Sequence, residues 1–190
     1  MGELPMTRNR MRAVAGACAT LLSLGLTGAA QAAPQASATE PVTTYEKGHV
    51  VECTAQLERY DTVYVSLYSN SVHGNHTQVV ISSAESEYAG AAQPAKLFSH
   101  GSIRTVVPIS PVDGRVESAS SAVVHGRYAP VGEPTPYSDE MYDAGYRIVT
   151  TGTHQDISTR LTIKAFGERA PLQCDNALAY DLRITKTPVV

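Results

Sequence analysis

Two histidines, His73 and His76, stand three residues apart in SNSVHGNHTQVVI, Ser69 to Ile81. Imidazoles at that spacing could hold a divalent metal or move a proton. A structural zinc site needs four ligands and a catalytic one three plus water, and no third ligand follows at a recognisable spacing. Glu85, Glu87, His100 or His125 could join only through the fold. The Ser, Asn and Gly residues of the same stretch are those a hairpin connection uses to reach positive φ. The expectation is therefore a turn, with no metal site and no cofactor. Asn75-His76-Thr77 formally matches a glycosylation sequon, a weak signal by itself.

Other chemistry is weighed in the same way. Cys53 and Cys174 remain once an N-terminal leader is set aside, and a pair of cysteines in an oxidising compartment reads as a disulfide. It would close a loop of about 120 residues, for which the chain-entropy relation assigns roughly 4–5 kcal/mol. The sharper alternative is a catalytic thiol, with His49 four residues before Cys53 on the same face of an extended strand. Asp139, Glu140 and Asp143 in GEPTPYSDEMYDAGY, Gly132 to Tyr146, are hard oxygen donors but lack the order and distal Glu of an EF-hand loop. They read as a solvated acidic hairpin loop. No G-x-S-x-G, H-E-x-x-H, S-x-x-K or Cys-His signature occurs, and no carboxylate pair is singled out, so no catalytic residue is assigned.

Aromatic usage points to recognition instead. The chain has ten tyrosines, two phenylalanines and no tryptophan. In TVYVSLYS, Thr62 to Ser69, Val63, Val65 and Leu67 alternate with Tyr64, Ser66 and Tyr68, the period of a half-buried strand. Tyr64 and Tyr68 then share the face opposite the core, where tyrosines serve protein or glycan contact. These two, with His73 and His76, are the candidate ligand contacts. The plainer alternative is that the tyrosines only cover the back of the sheet.

The elements that position these residues are strands. Alternation recurs at VVECTAQL, TQVVIS, SIRTVVPI, SSAVVHGRYAP, GYRIVTTGT, ISTRLTIKAF and ALAYDLRITK, with Gly and Pro breakers between them and no convincing helical stripe. About eight short strands of this kind predict an all-β, antiparallel β-sandwich, immunoglobulin-like or jelly-roll-like, with one disulfide.

The first residues read as an export leader. Arg8, Arg10 and Arg12 precede AVAGACATLLSLGLTGAA and Ala30-Gln31-Ala32, a charged region, an apolar run and a cleavage site. Residues 1–32 are expected to be a cleaved secretory signal, 33–47 a flexible arm of Ala, Gln, Ser, Thr, Glu and Pro, and 48–190 a single β domain. The apolar run suits a signal better than a membrane span of about 20 residues. No membrane span is expected in the mature chain. Three of the fifteen basic residues but one of the eighteen acidic ones lie in the leader, so the mature chain is more acidic than the formal −3 of the whole. With no basic run, nucleic acid is not an expected partner.

Val50 to Ile81, VVECTAQLERYDTVYVSLYSNSVHGNHTQVVI, together with LQCDNALAYDLRITKTPVV, resembles small secreted actinobacterial-type proteins of unknown function. The resemblance implies export and a single β domain and carries over no catalytic residue. The functional expectation is a secreted, monomeric, non-catalytic binding module acting on a protein or glycan outside the cell, since such folds display recognition on loops and faces. The alternatives are an extracellular hydrolase with a spatially assembled site, and a protease inhibitor presenting Gly132 to Tyr137.

Overall fold

A computed structural model describes residues 40–115 and 120–189. The leader at 1–32 and residues 33–39 of the arm lie outside the described residues. Ten strands run β1 Val42–Leu57, β2 Tyr60–Asn70, β3 Gly74–Ser82, β4 Glu87–Ala92, β5 Phe98–Ser99, β6 Ser102–Pro111, β7 Ser120–Pro130, β8 Thr135–Asp143, β9 Tyr146–Ala165 and β10 Glu168–Pro188. All pairings are antiparallel, and the described residues contain no helix.

The strands follow the order β10-β1-β2-β3-β4-β6-β7-β9, and a β9–β10 pairing closes that path. One layer is β1 to β4. The other is β5, β6, β7, the second half of β9 and the start of β10. Between them, β4 and β6 join at Tyr88↔Pro111 and Ala89↔Ser110, continued by a hydrogen bond from the Val112 N–H to the Glu87 carbonyl at 2.9 Å. Neighbours are consecutive from β1 to β4 and again from β6 to β7, the order of a meander. Inward residues of both layers form one core: Val51, Val63, Val65, Leu67, Val79 and Ile81 from the first, Ile103, Val107, Val124, Leu161 and Ile163 from the second. The alternation of TVYVSLYS thus has its cause. Every second residue is buried against the opposite layer, and a one-residue slip would expose the whole set.

The two cysteines face each other directly across β1 and β10, and Cys53 is bonded to Cys174. The ladder shifts register beside them, between Glu52 and Cys53.

Two expectations are corrected. Within the arm expected at 33–47, β1 begins at Val42, and Val42–Lys47 pair with Asp181–Lys186 of β10. The acidic stretch after Gly132 is not a loop through to Tyr146. Thr135–Asp143 is strand β8, paired with Tyr146–His154, which also removes Thr135 to Tyr137 from the proposed inhibitor loop. In both cases the partner strand supplies the order, through backbone hydrogen bonds that need no apolar alternation.

Residues 42–50, 135–143, 146–156 and 178–188 form a four-stranded extension in which only Tyr180 is buried. The pairing sorts its side chains. Val42, Met141, Ile148, Leu182 and Ile184 share the face continuous with the outside of the first layer, while Lys47, Thr151, Thr153, Asp181 and Thr185 share the other. Gly48 has a packing reason: a Cβ there would overlap the Ser69 carbonyl oxygen, which accepts a hydrogen bond from the Tyr180 hydroxyl at 3.0 Å.

Candidate functional site

The His73 and His76 stretch is a turn. Asn70 and Gly74 pair across β2 and β3, leaving three residues in the loop, with Gly74 at φ 78°. Asn70 Oδ1 accepts from the backbone N–H groups of Val72 and His73 at 2.7 and 3.0 Å, the local bond that lets Asn shape a turn. His73 lies in the loop, its Nε2 3.7 Å from Glu46. His76 lies in β3 opposite Tyr68, its Nδ1 3.4 Å from the Gln93 amide. Each imidazole therefore has its own neighbours. Among the described residues no three of His, Cys, Asp and Glu converge as a metal would require.

Tyr64 and Tyr68 stand on the outer face, opposite the core stripe, and both are half-buried. The Tyr64 hydroxyl donates to Glu52 at 3.1 Å, and burial, reinforced by the Glu52 charge, raises its pKa. Tyr68 interacts with the Tyr180 hydroxyl, whose pKa is pushed up mainly by burial. The hydroxyls are thus engaged within the sheet, which leaves ring edges and faces as the contact these residues offer.

His49 is used in packing. It stacks on Phe98 with centroids 4.5 Å apart, meets Tyr128 edge-on at 5.4 Å, and has Nδ1 3.2 Å from Ser69 Oγ. Burial lowers its pKa, since the charged form would lose water against two aromatic rings. The ring does not face a thiol, because Cys53 is bonded.

The second layer carries a feature that the linear sequence conceals. Its outward positions fall in three cross-strand rows: Ser102, Arg127 and Arg160; then Arg104, His125, Thr162 and Pro171; then Val106, Val123, Lys164 and Arg169. The first and third rows hold two cations each and the second holds Arg104 beside His125, and none of the three holds a carboxylate. Arg104, Arg127, Arg160, Lys164 and Arg169 are exposed. The ion pairs of the described residues lie elsewhere: Lys47–Asp181, Arg59–Glu168, Asp113–Arg115 and Glu140–Arg147, with the His73–Glu46 contact likewise outside this face. Arg127 and Arg160 are direct cross-strand partners, an arrangement of like charges that costs stability. His125 Nε2 accepts from Arg169 at 3.2 Å, which leaves its proton on Nδ1, a buried atom without a hydrogen-bond partner.

Beside the first row lies an open groove of about 560 Å³ lined by His100, Ser102, Arg127, Tyr128, Ser158 and Arg160 among others. The two-residue turn His100-Gly101 shapes one rim, both residues at positive φ as a type I′ hairpin requires. The arrangement presents two guanidinium groups, hydroxyls and an imidazole around a concave space. Guanidinium forks match carboxylate, sulfate and phosphate oxygens geometrically.

Sequence reasoning put its candidates on the first layer and missed these residues. The signal was there in part: ISTRLTIKAF places Ser158, Arg160, Thr162 and Lys164 on one face of a strand. What it lacked was the neighbouring strand. Comparison with protein-family models, curated proteins and solved structures finds no match for this chain.

Proposed function

We propose that the protein is a non-catalytic binding module that acts outside the cell and holds an anionic ligand on the outer face of its second layer. One observation carries the reading: five exposed cations share three adjoining rows of that face with no carboxylate in those rows, in a chain whose formal charge is −3. Spreading like charges over an acidic protein would be the cheaper arrangement, and gathering them requires an offsetting gain, which an anionic partner supplies. The export leader read at 1–32 gives the route out, and the Cys53–Cys174 bond suits an oxidising compartment.

Ion-exchange behaviour tests this directly. At pH 8 a net-negative protein should pass through a cation exchanger, whereas a segregated basic face should retain it in low salt and release it as salt screens the contact. Retention that Arg104→Gln, Arg127→Gln and Arg160→Gln together abolish is the expected result. Unretarded flow of the unaltered chain would defeat the proposal.

A further inference from the structure

Resting on that reading, we infer that the ligand is a linear acidic polysaccharide, gripped by Arg127 and Arg160 at one end of the face and followed across it by Arg104, Lys164 and Arg169. The extent of the face argues for a polymer. Alternate residues of a strand are about 6.8 Å apart and neighbouring strands about 4.8 Å, so three rows over β6, β7, β9 and β10 span roughly 14 Å in each direction. A single small anion would engage one row. A chain carrying successive acidic groups engages all three.

The residues between the cations argue for a glycan. Ser102, Ser158 and Thr162 intersperse hydroxyls that can both donate to and accept from sugar hydroxyls. No Phe, Tyr or Trp belongs to the three rows, and Tyr128 at the groove is packed against His49 and Phe98, so successive bases of a single-stranded nucleic acid would find no run of aromatic rings to stack on. The face is a sheet four strands wide, whereas the major groove of a duplex admits a helix or a two-stranded ribbon. Membrane insertion needs a broad apolar surface, and Val106 is the one strongly exposed large apolar side chain in these rows. Four of the five cations are arginine, the side chain suited to forked contact with a carboxylate or sulfate. The groove beside Arg127 and Arg160 is large enough to seat one acidic sugar unit, with His100 at its rim.

The test is calorimetric titration of the full-length chain in about 50 mM salt with polygalacturonate, dextran sulfate, uncharged dextran, a single-stranded oligonucleotide, duplex DNA, and phosphatidylcholine vesicles containing phosphatidylglycerol. We expect at least one acidic glycan to bind, its affinity falling steeply with added salt, and uncharged dextran to give no heat. Tighter binding of polygalacturonate would identify carboxylate as the recognised group, and of dextran sulfate, sulfate. Arg127→Gln with Arg160→Gln should weaken the glycan at least tenfold with the unfolding temperature unchanged or raised, while Arg183→Gln, on the extension, should leave affinity within twofold. Nucleic acid or vesicles bound as tightly as both acidic glycans would overturn the glycan inference and leave the anionic reading standing. Failure of every polyanion would overturn both. Glycan binding indifferent to the double substitution would remove the site from this face.

Discussion

Replacing Arg160 by Glu should push stability and binding in opposite directions. Arg127 and Arg160 are direct cross-strand partners, and neither has a counter-ion within ion-pair distance among the described residues. For two unit charges about 7 Å apart, the repulsion in water is about 0.6 kcal/mol, inside the range of about 0.2–1 kcal/mol measured for cross-strand pairs. Arg160→Gln removes that term. Arg160→Glu also adds an attraction of similar size, for a total of about 1.2 kcal/mol at low ionic strength. In a domain of this size that is a rise of about 2–5 °C in unfolding temperature, and most of it should vanish in 1 M salt, where the screening length is about 3 Å. Thermal unfolding at low and high salt checks the gain, and titration with an acidic polysaccharide checks the loss of binding. A lower unfolding temperature for Arg160→Glu at low salt would refute the reasoning. It would mean that Arg160 is held by favourable contacts and that the charge cluster is structural.

Two further outcomes follow from the packing. Reducing Cys53–Cys174, or changing both residues to Ser, releases a crosslink spanning 121 residues; the chain-entropy relation gives about 5 kcal/mol, so the unfolding temperature should fall by roughly 10–20 °C, checked by scans with and without reductant. His49 should make the protein acid-sensitive: its pKa is lowered by burial while the unfolded imidazole titrates near 6.5, so the unfolded state takes up the proton first and stability present above that pH is lost as pH falls toward the folded value. His49→Phe keeps an aromatic ring beside Phe98 and should flatten the fall in unfolding temperature between pH 7 and pH 5. Some slope should remain, because His154, stacked on Tyr137 at 4.0 Å, is lowered by burial in the same sense.

What could be read from the sequence were features set by one strand and its own turn. The stripe Val63, Val65, Leu67 announced a half-buried strand. Asn70 to Gly74 announced a turn, and two cysteines announced their bond. The segments that escaped owe their structure to a partner. Val42–Lys47 and Thr135–Asp143 are exposed on both faces apart from half-buried Glu46 and Tyr137, so no apolar period marks them, and only pairing with β10 and β9 makes them strands. The turns Ala144-Gly145 and Phe166-Gly167 place Ala and Phe at positive φ, where the usual signal is Asn or Asp. The basic face is the extreme case. Arg104, Arg127, Arg160, Lys164 and Arg169 are spread over 66 positions of chain, and a formal charge of −3 hides them. Topology alone makes them neighbours.

The central claim is that the second layer's outer face, rather than the tyrosine face, meets the ligand. Titrating isotope-labelled full-length protein with a short acidic oligosaccharide and following amide and arginine side-chain signals by NMR tests it most directly. The largest shifts should fall at Arg104, Arg127, Arg160, Lys164 and Arg169, with Tyr64, Tyr68, His73 and His76 unmoved. Shifts gathered on those last four residues, with the arginines silent, would contradict it.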